Sequence, residues 1–202
     1  MNMELWVYEN EARDNGFSVI AGVDEAGRGP LAGPVVSAAV VLPENFTAGG
    51  LTDSKKLTPE ARNFYYDQIY ADAVAVGIGI VDPIEIDRIN ILQASLLSMV
   101  IAVANLMPEP DFLLIDGNFG IMRDCLQKAI IKGDALSISI AAASVVAKVT
   151  RDRIMELYDS EYPGYGFQTH KGYPTKGHRE AIRRSGCCPI HRKSFKGVKE
   201  YW

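Results

Sequence analysis

The sequence predicts an α/β protein, a mixed β-sheet with helices on its faces and a small helical extension at the C-terminal end. Apolar runs rich in β-branched residues come early, at Val19 to Val23, Val35 to Leu42 and Ala73 to Val81, each flanked by Gly, Pro or Asp. Further on, short apolar runs alternate with helical patterns, as strands and helices do when they share a sheet. After Pro163 the texture changes to Gly, Tyr, Lys and Pro. Residues 1–160 are therefore expected to form the main unit and residues 161–202 a basic helical extension packed on it.

Each element has its own signal. In the third run Val74, Val76, Ile78 and Ile80 alternate with Ala73, Ala75, Gly77 and Gly79, so one face is bulky and the other small enough for a helix to lie close. Thr58-Pro59-Glu60 reads as a helix start, with Ala61, Phe64, Tyr65 and Ile69 on one face of that helix. Ile91 to Met107 is interrupted by Gln93, Ser95, Ser98 and Asn105 and stopped by Pro108, which suits a buried helix better than a membrane span. Phe112 to Ile115 and Ala129 to Ile131 suit buried strands. Leu136 to Tyr158 reads as a long helix with Ala141, Ala142, Ala143, Val145, Val146 and Val149 on its apolar side.

With 202 residues, 48% of them hydrophobic, the chain can bury a core without disulfides or structural metals. Its first residues lack the basic start and apolar run of a signal peptide. Three cysteines, two of them adjacent, speak against a disulfide framework. A cytoplasmic monomer without a membrane partner is expected. The net charge of −4 hides an asymmetry: from Pro163 to Lys199 nine basic residues face one acid, Glu180, giving that segment +8 and the rest −12. A basic segment on an acidic body is the footprint of phosphate binding, or else of a solvated surface helix.

Three of the expected strands end in acids. Val19–Val23 runs into Asp24-Glu25, Phe112–Ile115 into Asp116-Gly117, and Ala129–Ile131 into Gly133-Asp134. Any one such Asp is equally well a turn former. Three on neighbouring strands would converge at the rim where open α/β sheets bind ligands, and like charges so close need a cation. Hard oxygen ligands select Mg²⁺ or Mn²⁺, and two such ions roughly 4 Å apart serve phosphodiester hydrolysis. Asp24 and Glu25 would point to opposite faces of a regular strand, so the strand ends there or one of the two works indirectly.

The stretch Ala21-Gly22-Val23-Asp24-Glu25-Ala26-Gly27-Arg28-Gly29-Pro30-Leu31-Ala32-Gly33-Pro34-Val35 resembles the opening signature of ribonuclease HII. Further blocks agree in order: Asp53–Leu57, Ile115-Asp116-Gly117, Gly133-Asp134 leading into Ala141–Asp152, His170–Thr175 and Ile190–Phe195. The resemblance covers residues 18 to 196 and implies a ribonuclease H-like sheet with a helical C-terminal extension. It also implies that Asp24, Glu25, Asp116 and Asp134 bind Mg²⁺ or Mn²⁺, that Gly27-Arg28-Gly29 contacts the ribonucleotide, and that Tyr173 senses the RNA–DNA junction. The substrates would be RNA–DNA hybrids and DNA duplexes containing ribonucleotides. Cleavage would fall on the 5′ side of the ribonucleotide and leave 3′-hydroxyl and 5′-phosphate ends. The first strand near residue 18 leaves no room for the extra N-terminal domain of type HIII relatives.

Chemistry accords with these expectations. Glycines at 27 and 29 would let backbone groups approach a sugar, and the 2′-hydroxyl is what distinguishes RNA from DNA. Lys55, Lys56, Lys148 and Arg151 are candidates for holding phosphates, and Ser144, Lys148 and Arg151 share a helix face by spacing. That face is expected on the substrate side. Rival readings fare worse. Pro30 and Pro34 keep Gly27-Arg28-Gly29 from opening a dinucleotide-binding helix. Adjacent Cys187 and Cys188 lack the spacing of a zinc knuckle, and His170 and His191 suit polar packing or phosphate contact. A non-catalytic RNA–DNA duplex binder is the alternative from another class, opposed by four acids that would repel phosphate without metal.

Overall fold

The computed structural model describes residues 3–202 except 48, 53 and 55, so the expected roles of Lys55 and of Asp53 in its block lie outside the described residues. Among the described residues five strands form one mixed sheet in the order β3-β2-β1-β4-β5. β1 (Ile20–Ala26) pairs antiparallel with β2 (Val35–Val41), and β2 with β3 (Ala75–Val81). On its other side β1 runs parallel to β4 (Phe112–Asp116), and β4 to β5 (Leu126–Ile130). Three neighbouring strands thus end at the same rim.

The central strands carry small residues because helices press on both faces. α4 (Ile91–Ala104) lies on one face, so close that a Cβ on Gly79 would collide with the Ser98 carbonyl and one on Gly77 with that of Ala102. The small-against-bulky alternation of β3 has this cause. α5 (Ile138–Glu161) crosses the other face, where Ala141, Ala142, Ala143, Val145 and Val146 are fully buried. A Cβ on Gly22 would strike the Ser139 backbone of that helix. Ser137 caps α5 by accepting from the Ile140 N–H. Behind the cap, buried Glu9 of α1 (Val7–Asp14) accepts from the hydroxyls of Ser137 and Ser139, both at 2.6 Å.

Several expectations shift. α2 (Pro59–Asp72) starts at its Thr58 cap as predicted, yet Phe64 is 66% exposed while Tyr65 and Ile69 are buried; Tyr66, not Phe64, packs against the core. The third strand begins at Ala75, because Ala73 ends α2. The last strand is Leu126–Ile130 rather than 129–131, with Ile131 largely exposed past its end. β5 is an edge strand, and its polar Gln127 and Lys128 hide it from a reading based on hydrophobic runs. The short α3 (Pro83–Ile89), capped by Asp82, and α1 are additions to the expected elements.

The C-terminal segment contributes α6 (Phe167–His170) and α7 (Lys176–Ser185). Its Phe167, Cys188 and Ile190 pack with Ala32 and with Met155 of α5, and its Ile182 and Val198 pack with Leu31. Backbone hydrogen bonds join Leu31 to Gly172 and to Arg192, and Gly33 to Ile190. The segment is therefore built onto the loop that connects β1 with β2. No helix among the described residues is long and apolar enough to cross a membrane.

Candidate active site

The register of the sheet assembles the acids. Val23 of β1 is paired with Ile115 of β4, so the next residues, Asp24 and Asp116, stand side by side at the carboxyl ends of parallel strands. Asp116 pairs in turn with Ile130 of β5, after which the chain reverses through Lys132 at φ 59° into the short 3₁₀ turn Gly133–Ala135 that carries Asp134. The Gly133 N–H donates to Asp116 Oδ1 at 2.7 Å and ties that turn to the end of β4. The strands are neighbours, as convergence required.

Asp24 is 5% exposed and lies on the α5 face of the sheet, where the Ser144 hydroxyl serves its carboxylate. Burial pushes its carboxyl well above the usual carboxylate range, and the charges of Glu25 and Asp116 push it further. The Ser144 and Glu25 hydrogen bonds oppose the rise without cancelling it. Glu25, the next residue along a strand that continues to Ala26, lines the open side of the same rim and pairs with Arg28 at 3.3 Å. A buried acid crowded by two others suits a divalent cation held by hard oxygens. Among the described residues no group of three or more His, Cys, Asp or Glu side chains is set to hold a metal ion, and Asp134 lies outside the residues that line the cleft at this rim.

The rim opens into a cleft of about 460 Å³ lined by Glu25, Asp116, Gly27, Arg28, Gly29, Ser54, Ser144, Lys148 and Tyr173. The structure thus brings most of the sequence-derived candidates together. Lys148 stands at the cleft, paired with Asp152 at 2.7 Å and 5.9 Å from the Tyr173 ring. Tyr173 is 39% exposed, and a Cβ on Gly29 would stand 3.8 Å from its ring, leaving ordinary room there. Lys56 is exposed and lies outside the cleft lining. Ser54, which sequence patterning leaves without a role, is buried and bonds the Ser144 hydroxyl at 2.9 Å, tying its segment to α5 beside Asp24. Its place inside the block Asp53–Leu57 is the one signal that could have found it.

Arg151 departs from expectation. It is 1% exposed, and its guanidinium donates to the carbonyls of Pro34, Lys171 and Ala32 at 2.9, 2.9 and 3.0 Å, so it ties the β1–β2 loop to the C-terminal segment from a buried position. Gly27 is explained differently as well: it has φ +104°, and a Cβ there would run into the Arg151 side chain. Arg192, one of the nine basic residues of the C-terminal segment, is fully buried and reaches the same loop. Sequence reasoning gives it no role.

All three histidines gather in the C-terminal segment, away from the acids. His170 stacks on His178, and His178 meets His191. The Cys188 N–H donates to His191 Nδ1 and His178 Nδ1 donates to the Tyr173 carbonyl, which leaves His191 Nε2–H as the donor to a bare His178 Nε2. The histidines pack on one another and on the Tyr173 carbonyl, with Cys188 Sγ 3.1 Å from His191 Nδ1.

A mixed sheet of this order, with carboxylates at the ends of adjacent parallel strands and helices on both faces, is the architecture of a ribonuclease H-type endonuclease. The family model for ribonuclease HII matches residues 21–198. A ribonuclease HII of Geobacter metallireducens is 57% identical over 197 residues, covering 98% of this chain and 92% of that protein. The crystal structure of ribonuclease H2 from Pyrococcus horikoshii superposes with a TM-score of 0.76 at 28% identity, over 91% of this chain and 97% of that one. A Bst-RNase HIII crystallised in complex with Mn²⁺ shares the fold, with a TM-score of 0.66 at 23% identity, over 94% of this chain and 71% of its own. The chain belongs to the ribonuclease HII family.

Proposed function

We propose that the protein is a divalent-metal-dependent endoribonuclease that cleaves the RNA strand of RNA–DNA hybrids and nicks duplex DNA on the 5′ side of an embedded ribonucleotide. The products are a 3′-hydroxyl and a 5′-phosphate, and the role is ribonucleotide removal from DNA by a cytoplasmic monomer. Residues 1–160 are read as the catalytic unit and 161–202 as an extension of it. The observation that carries the reading is the crowding of buried Asp24 by Glu25 and Asp116, two acids that line a cleft walled by Gly27–Gly29 and Tyr173.

Asp24, Glu25, Asp116 and Asp134 are the residues that would hold Mg²⁺ or Mn²⁺; when bound, such ions supply Lewis acidity and neutralise charge at the scissile phosphate. The protein's own contribution is positioning. Ser144 orients the Asp24 carboxylate, and Gly133 fixes that of Asp116. Lys148 places a positive charge on the wall of the cleft, where a phosphodiester backbone would run. Tyr173 offers an aromatic face to a sugar or base beside the reacting nucleotide. No histidine adjoins the acids, so no histidine serves as general base.

Cleavage of an end-labelled DNA duplex carrying one ribonucleotide, with Mg²⁺, with Mn²⁺ and with chelator, tests the reading. The expected result is metal-dependent nicking on the 5′ side of that ribonucleotide, with an all-DNA duplex untouched. Binding of the duplex by well-folded protein without nicking under any metal condition would replace the nuclease with a duplex-binding protein.

A further inference from the structure

The loop between β1 and β2 is held from beneath by a side chain far away in sequence. Arg192 is 0% exposed, and no carboxylate accepts from its guanidinium among the described hydrogen bonds. Instead it donates to four carbonyls of one loop: Gly27 at 2.6 Å, Arg28 at 3.0 Å, Gly33 at 3.0 Å and Pro34 at 3.2 Å. Its own N–H donates to the Leu31 carbonyl at 2.8 Å, and its neighbour His191 bridges to Ala32. The fork of five donors on a rigid plane is what allows one side chain to collect carbonyls from both arms of a loop, and lysine cannot do this.

Peptide planarity carries this anchoring through to the cleft. In a trans peptide the carbonyl and the following N–H point in opposite directions. With the Gly27 and Arg28 carbonyls drawn inward to Arg192, the N–H groups of Arg28 and Gly29 are turned outward, on the side where Gly27, Arg28 and Gly29 line the cleft with Tyr173. Two adjacent N–H groups aimed into a cleft make an acceptor site for a single oxygen.

We propose that Arg192 is a positioning residue for ribonucleotide recognition: it fixes the Gly27 and Arg28 peptides so that the N–H groups of Arg28 and Gly29 meet the 2′-hydroxyl oxygen of a ribose. The inference rests on the nuclease reading above and adds to it a residue that touches no substrate. It separates two tasks: phosphate-holding side chains carry affinity for any duplex, while the loop that Arg192 braces carries the preference for ribose.

The test uses the full chain with Arg192→Lys and Arg192→Met, and Gly79→Ala as a variant destabilised at β3, remote from the loop. Three quantities are read: KM and kcat at a single embedded ribonucleotide, the inhibition constant of an all-DNA duplex, and the rate of tryptic cutting after Arg28 in the native protein. Arg192→Lys is expected to raise KM about tenfold with kcat little changed. The all-DNA inhibition constant should stay within about twofold, since phosphate contacts are intact. Tryptic cutting after Arg28 should accelerate in both Arg192 variants and not in Gly79→Ala. A purely structural role would give Arg192→Lys and Gly79→Ala the same profile, and unchanged KM and tryptic rate in Arg192→Lys would overturn the proposal.

If neither Arg192 variant folds, the wild-type protein decides. The amide signals of Arg28 and Gly29 should shift on addition of the ribonucleotide duplex under chelator and stay put with the all-DNA duplex; equal response to both overturns the proposal. A wild-type protein that nicks nothing brings down the nuclease reading, and this inference with it, whereas nicking without the amide response brings down only the role of Arg192.

Discussion

His178 and His191 meet Nε2 to Nε2 at 3.1 Å in the interior of the C-terminal segment. One nitrogen carries the hydrogen and the other is bare, so protonating His178 would set two N–H groups face to face, and protonating His191 would turn an Nδ1–H toward the Cys188 N–H. Burial pushes both down to about 4, and the neighbouring His170 adds to the effect. The unfolded chain, with ordinary histidines near 6.5, binds more protons than the native one between those two values. Stability from this pair is therefore fully present above about pH 6.5 and lost as pH falls toward 4. Urea unfolding from pH 7 to 4.5 should show a decline of about 5 kcal/mol that His191→Gln roughly halves. An equal slope in that variant would remove the pair from the cause.

Asp24→Asn separates function from stability. Removing the charge of a buried acid crowded by Glu25 and Asp116 relieves repulsion, so the melting temperature should hold or rise. Cleavage should fall by more than the roughly 100-fold typical of losing a residue behind a metal ligand. Calorimetry and the single-ribonucleotide assay on the same preparation check both halves, and near-normal cleavage would remove Asp24 from the site.

Tyr173→Ala trims a ring that is two-fifths exposed, so folding should change little. If the ring stacks at the junction, kcat/KM at a single embedded ribonucleotide should drop by about ten- to a hundredfold, corresponding to a stacking contribution of roughly 1–3 kcal/mol. Unchanged rates on both the single-ribonucleotide duplex and a long hybrid would leave Tyr173 without a role in cleavage.

Gly79→Ala tests the packing of β3 on α4. The added methyl meets the Ser98 carbonyl, a backbone atom that cannot swing aside. The expected cost is about 1–3 kcal/mol, read as a lower urea midpoint with an unchanged denaturant slope.

The alternation of β3 announces a close helix because Gly77 and Gly79 have one physical reason to sit on one face. The acids at Asp24 and Asp116 are legible because each ends an apolar strand, and Asp134 because the short apolar run Ala129 to Ile131 precedes it; the parallel pairing of the strands supplies what sequence spacing lacks. Phe64 misleads because, five residues before Ile69, it sits well off the face that Ile69 buries, whereas Tyr66, three residues before Ile69, lies on that face and packs on the core. Arg151 reads from sequence as a phosphate ligand, and Arg192 as one more basic residue. Nothing local marks an arginine for burial when all but one of its acceptors lie 117 to 165 positions away along the chain. The histidine relay is hidden for the same reason, since only the fold brings His178 onto His191.

The reach of Arg192 back to Gly27 spans 165 positions. At ordinary rates of synthesis the later residue leaves the ribosome on the order of 10–30 s after the earlier one. During that interval the acid-bearing strands can pair, but the loop between β1 and β2 has no brace beneath it. If that loop reads the ribose as proposed, the means of cutting phosphodiesters and the means of choosing where to cut mature at different moments, and selectivity waits on the last stretch of chain to be made.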